Sequence, residues 1–168
     1  MRFWRIARTT GEACRRMKFW DASAIVPLVA DERARGALLA MLEEDPELLV
    51  WWGTPVEIVS ALARRERDGH LTADQTAAAI GALHTIATGW QEILPSDAIW
   101  RTAERLLRVH TLRAADSLQL AAAIIAADHD PASLPFVSLD ERLNDAARRE
   151  GFTVVGFSPE SIPRFHES

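Results

Sequence analysis

The 168-residue chain has a single cysteine, Cys14. An internal disulfide and any zinc site built from several thiolates are therefore excluded. No stretch approaches the roughly 20 apolar residues that a membrane-spanning helix requires. The basic N-terminus is followed by no apolar segment of the kind a secretory signal carries, so a cytoplasmic protein is expected. Among His70, His84, His110, His129 and His166 no two stand at i, i+3 or i, i+4. The helical two-histidine zinc arrangement is thus missing, and these residues read as surface or core. Positive charge is scarce in the body of the chain. The net charge is -5, yet residues 1 to 16 hold five arginines against Glu12, a net of +4, which leaves -9 for the remaining 152. General nucleic-acid binders draw their phosphate affinity mainly from Lys and Arg. Phosphate chemistry in such a body has to be local and metal-assisted.

The length fits one domain, which at this size buries roughly 68–70% of its unfolded surface. The N-terminus repeats one pattern, Met1-Arg2-Phe3-Trp4 and then Met17-Lys18-Phe19-Trp20, but four residues are too few for a structural repeat. Residues 1–16 read as a basic appendage, disordered or an over-extended start, with an RNA-touching arm as the functional alternative. Residues 17–157 form the expected domain, and 158–168 a C-terminal tail.

Within the domain two periods alternate. Short apolar runs predict strands at Phe19 to Ala22, Leu48 to Trp52, Trp90 to Leu94, Phe136 to Leu139 and Thr153 to Val155. Helical spacing predicts helices over Ala24 to Glu44 (with a break near Asp31), Thr54 to Arg67, Thr72 to Thr88, Ser96 to His110, Arg113 to Asp128 and Glu141 to Arg149. Strands separated by helices imply right-handed crossovers and an α/β fold, a central parallel sheet of about five strands flanked by helices in three layers. Ligands of such sheets lie at the carboxyl ends of the strands.

Four acids occupy positions that a fold tolerates poorly. Asp21 follows the first predicted strand, Glu57 lies just past the second, Asp140 ends the fourth, and Asp116 interrupts a helix of Ala, Leu and Ile. A carboxylate beside a core segment costs several kcal/mol unless it is compensated. Ordinary roles compete for each. Thr54-Pro55-Val56-Glu57 reads as a capping box with Thr54 at the N-cap. Asp21 and Asp140 could each cap a following helix, although Ser138 with Glu141 competes for the second. Asp116 is the hardest to assign to structure, because Leu120 and Ile124 at i+4 and i+8 place it along a core-facing stripe. Carboxylates about 4 to 5 Å apart repel by roughly 3–4 kcal/mol per pair at an effective dielectric near 20. A cluster of four therefore calls for raised pKa values or a bound cation. An all-oxygen donor set favours Mg²⁺ or Mn²⁺.

These residues carry a family resemblance. Asp21-Ala22-Ser23, Thr54-Pro55-Val56-Glu57, Leu112-Arg113-Ala114-Ala115-Asp116 with Leu118 and Leu120, and Val137-Ser138-Leu139-Asp140-Glu141-Arg142-Leu143 stand in the order of a PIN-domain ribonuclease. Ala146-Ala147 and Gly151-Phe152-Thr153-Val154-Val155 extend the likeness, which covers roughly residues 17–157. The chain resembles most closely the VapC-type toxins of bacterial toxin–antitoxin pairs. The resemblance implies a metal-dependent endoribonuclease with Asp21, Glu57, Asp116 and Asp140 as the catalytic and metal-binding quartet and Ser23 and Ser138 as supporting hydroxyls. Thr is commoner in the family at the Ser138 position. It further implies Mg²⁺ or Mn²⁺ as cofactor, an RNA substrate cut to a 5′-phosphate and a 3′-hydroxyl, a cognate antitoxin and a homodimer.

Two rival functions stand beside it. A haloacid-dehalogenase-type phosphatase also opens with Asp after a strand, but its chemistry needs a second Asp where this chain has Ser23. A non-catalytic PIN-like module binding RNA or a partner is the other. For substrate grip, Arg101, Arg105 and Arg108 fall on one helix face, and Arg64, Arg65 and Arg67 form a second group. A solvated face is the plainer reading of both. Trp51 and Trp52 alternate across the sheet, and core packing is expected of each, with base stacking as the alternative.

Overall fold

The computed structural model describes residues 17–30 and 34–155. The expected basic appendage, the C-terminal tail and the break near Asp31 fall outside them. Five strands, β1 (Lys18–Trp20), β2 (Leu48–Trp51), β3 (Gln91–Ile93), β4 (Phe136–Val137) and β5 (Val154–Val155), form one sheet in the order β3-β2-β1-β4-β5. Every pairing is parallel. The described helices are α1 (Ala22–Ala30), α2 (Arg35–Glu44), α3 (Thr54–Arg67), α4 (Ala73–Ala87), α5 (Asp97–Val109), α6 (Ala114–Ala126) and α7 (Glu141–Arg149). The expected α/β architecture is thus the one observed.

Strand alternation explains the layers. Phe19, Leu49, Trp51 and Phe136 face one side and pack with Ile99 of α5, the Leu120–Ile124 stretch of α6 and Leu143 of α7. Trp20, Leu48, Val50 and Val137 face the other, against Ile25 of α1, Leu38 of α2, Ile58 and Leu62 of α3 and Leu83 of α4. Both faces are covered, which is why the strands read as continuous apolar runs. The rings of Phe19 and Phe136 stack across the β1–β4 pair, 5.4 Å apart.

Topology places the site. The chain winds from β1 outward through β2 to β3, then α5 and α6 return it to the far side of β1 as β4. The order reverses between β1 and β4, and at such a switch point the loops leaving the two strands diverge and open a crevice. The amide of Asp21 donates to the Val137 carbonyl at 2.9 Å, so the first acid is fixed at that crevice by the sheet itself.

Candidate active site

Asp21 is 5% exposed. Its Oδ2 accepts from the Ser23 amide at 2.9 Å, from the Ser23 hydroxyl, and from the Ser138 hydroxyl at 3.3 Å. The two serine oxygens are 3.2 Å apart, and the Leu139 amide donates to Ser23 Oγ at 2.8 Å. Ser23 thus holds Asp21 from the start of α1, and Ser138 holds it from across the switch point. Burial drives the Asp21 pKa up; the Ser23 bonds pull it back, and Asp116 raises it further. At the opposite edge of the sheet Asp45 is equally buried, but it has Lys18 at 2.9 Å. Among the described residues Asp21 has no such cation.

Glu57 differs from its expected setting. The helix start is Gly53, whose carbonyl accepts from the Val56 and Glu57 amides at 3.1 and 3.2 Å, and no side chain caps it. Thr54 lies one residue inside α3, fully buried, so the predicted capping box does not form. Its hydroxyl instead meets the Gln119 amide group (3.5 Å to Oε1, 3.3 Å to Nε2), and Gln119 Nε2 donates to Glu57 Oε1 at 3.2 Å. Glu57 is left facing the crevice. Burial raises its pKa to about 7, with Asp21 and then Asp116 adding to the rise against the Gln119 bond.

Asp116 and Asp140 combine two roles. Asp116 stands in the first turn of α6, half-buried rather than enclosed in the core stripe, and its Oδ2 accepts from the Arg113 amide at 3.1 Å. Asp140 is the N-cap of α7, its Oδ1 accepting from the Leu143 amide at 3.0 Å. Ser138 accepts from the Asp140 amide at 3.1 Å, which ties Asp140 to Asp21 through one hydroxyl and leaves the cap to Asp140.

A common pattern links the four carboxylates. Each fixes one oxygen by a hydrogen bond to the scaffold, and the other has no partner among the described residues. They do not form a ready-made cage: among the described residues no three His, Cys, Asp or Glu side chains are grouped to hold one ion.

The expected substrate-binding arginines all lie on α5. Arg105 is held by Glu150 through two bonds of 2.7 and 3.0 Å, and Glu150 also meets His110 at 2.7 Å. Arg101 and Arg108 line the outer face of α5. Trp51 is buried as expected, but Trp52 is 54% exposed, because it lies in the turn after β2 ends rather than in the strand. Two polar residues escaped the sequence reading as site members. Gln119 is three residues from Asp116 and Asn144 four from Asp140, so helical spacing was the available signal. Asn144 is buried and donates to the Ser138 carbonyl at 3.1 Å.

Compared with known proteins, the chain matches no family model and no curated sequence.

Proposed function

We propose that the chain is a divalent-metal-dependent endoribonuclease of the PIN type, acting in the cytoplasm as the toxin of a toxin–antitoxin pair. The observation that carries this reading is the set of four carboxylates at the switch point, each with one oxygen anchored and one open. The donor chemistry fits a hard cation. Asp21 and Glu57 both hold their protons above the ordinary carboxylate range because no positive charge compensates their burial. Asp21, Glu57, Asp116 and Asp140 would hold Mg²⁺ or Mn²⁺ through the open oxygens. Such an ion, when bound, supplies charge neutralisation at a phosphate and lowers the pKa of a water that can attack phosphorus.

The protein's own groups do the rest. Ser23 and Ser138 keep Asp21 in one orientation, and Gln119 does the same for Glu57. Glu57, so held, would either ligate the ion or orient the water that the ion activates. A protein partner, whether a cognate antitoxin or a second copy, would find apolar surface on the outer side of α5, where Trp100, Leu107 and Val109 are exposed.

One observation favours the rival, a non-catalytic PIN-like module: the acids do not converge on a single point. Incubating the purified protein with a small-RNA pool in Mg²⁺, Mn²⁺ or EDTA, beside Asp116→Asn, decides between them. Discrete cuts with metal, absent with EDTA and in the variant, are expected. RNA left intact by folded protein that binds no divalent ion would leave the module.

A further inference from the structure

A nuclease with an acidic body must hold its RNA by cations close to the acids, and those expected on α5 are misplaced. α5 starts after β3 at the carboxyl edge and runs away from it, so Arg108 lies roughly 16 Å from the helix start. Arg105 is committed to Glu150. Two other arginines have the right position. Arg113 immediately precedes α6 and Arg142 is in the first turn of α7. Each is two or three residues from an acid of the quartet. Both are exposed, and among the described residues neither guanidinium has a hydrogen-bond or ion-pair partner. Open carboxylate oxygens stand nearby, yet these charges remain available to solvent.

The same edge carries an aromatic surface. Trp52 is 54% exposed in the turn that leads from β2 to Glu57. Its position is fixed: its amide donates to the Ile93 carbonyl at 3.1 Å, and its ring meets the buried Trp51 edge to face, with centroids 6.4 Å apart. Gly53 keeps that turn closed, since a Cβ there would come within 2.6 Å of Trp51 Nε1. An anchored, half-bare indole accepts an unpaired base on its face, and such stacking is open to any base.

Building on the nuclease reading, we propose that single-stranded RNA crosses the carboxyl edge of the sheet with one unpaired base on Trp52 and phosphates on Arg113 and Arg142. The track so drawn passes over the acids, since Trp52 precedes Glu57 by five residues, Arg113 precedes Asp116 by three and Arg142 follows Asp140 by two. Paired RNA cannot offer a base to Trp52, which makes the site selective for loops and unpaired segments.

Anisotropy with a labelled 12-nucleotide oligouridine in Ca²⁺, measured over a range of salt, tests the track alongside cleavage by wild type in Mg²⁺. Trp52→Ala is expected to weaken binding roughly 5- to 150-fold, and Trp52→Phe to keep most of it. Arg113→Gln and Arg142→Gln should each lower the slope of log K against log salt by about 0.7. Arg101→Gln and Arg108→Gln should change neither. All substituted residues are exposed, and unchanged melting curves would show that the variants fold. Wild-type RNA binding unaffected at Trp52, Arg113 and Arg142 overturns the track alone. So does a Trp52→Ala variant that loses self-association and keeps RNA affinity, since Trp52 would then belong to a protein interface. Wild type that neither binds nor cuts RNA overturns the nuclease reading as well.

Discussion

Gln119 joins the buried Thr54 hydroxyl to one oxygen of the half-buried Glu57, and neither has another side-chain partner among the described residues. Replacing it by leucine leaves both behind. Gln119→Leu should therefore cost about 1–3 kcal/mol of unfolding free energy, the usual penalty for an orphaned buried group. Adding Thr54→Val removes one orphan, so the double variant should recover about 1 kcal/mol relative to the sum of the singles. A urea double-mutant cycle measures this, and strict additivity would mean that the two side chains do not interact. Glu57 gives a pH signature. Its folded-state pKa of about 7 lies above the ordinary 4.5. Between these values the folded state binds more protons than the unfolded chain, so stability falls as pH rises through that window. Metal-free protein should lose on the order of 2 kcal/mol from pH 4.5 to 7, the shift being reduced by the solvent contact of Glu57. Glu57→Gln should flatten this contribution. Chemical denaturation of both proteins at pH 5 and 7.5 gives the comparison, and equal slopes would contradict the assignment.

At the scale of elements, the β2–α3 turn is the tightest joint. Gly53 has φ -78, which any residue adopts, so its requirement is steric and comes from the Trp51 indole. Gly53→Ala should destabilise the protein by about 1–3 kcal/mol, as overpacking does. The same change in a Trp51→Phe background should cost less, because the smaller ring vacates the contact; thermal melts of the four proteins check it. This turn also shows where sequence reading stopped. Thr54 to Glu57 has the composition of a capping box, but a bare carbonyl at Gly53 starts the helix one residue earlier. Sequence alternation predicts Trp51 and Trp52 on opposite faces of one strand, but β2 ends at Trp51, and Trp52 lies in the turn with its ring edge to face against Trp51, exposed rather than in the core. The arginine stripe of α5 was likewise a true helical face whose direction relative to the site only the sheet order reveals.

For the whole molecule, the acids were legible because each interrupts or borders an apolar run, and the parallel sheet because strands and helices alternate. Which strands are neighbours was not legible, since β1 pairs with β4 across nearly the full chain. A bound divalent ion is a whole-molecule effect as well. At a hundredfold excess over its Kd it should add about 2.7 kcal/mol of stability, which raises Tm by roughly 5–10 °C at this chain length. Asp21→Asn should lose most of that response while melting no earlier than wild type without metal, because it removes a desolvated charge. Calorimetry with Mg²⁺ and EDTA tests both parts.

Asp21 and the Ser138 hydroxyl that holds it are separated by 117 positions in the chain. On a ribosome adding 5–20 residues per second, roughly 6–25 s pass between the synthesis of the two. During that interval β1 has no β4 beside it, and the first acid lacks its counterpart across the crevice. Premature termination anywhere before the fourth strand thus yields a product without an assembled site. Sheet order thus makes assembly of the crevice wait on synthesis of the fourth strand.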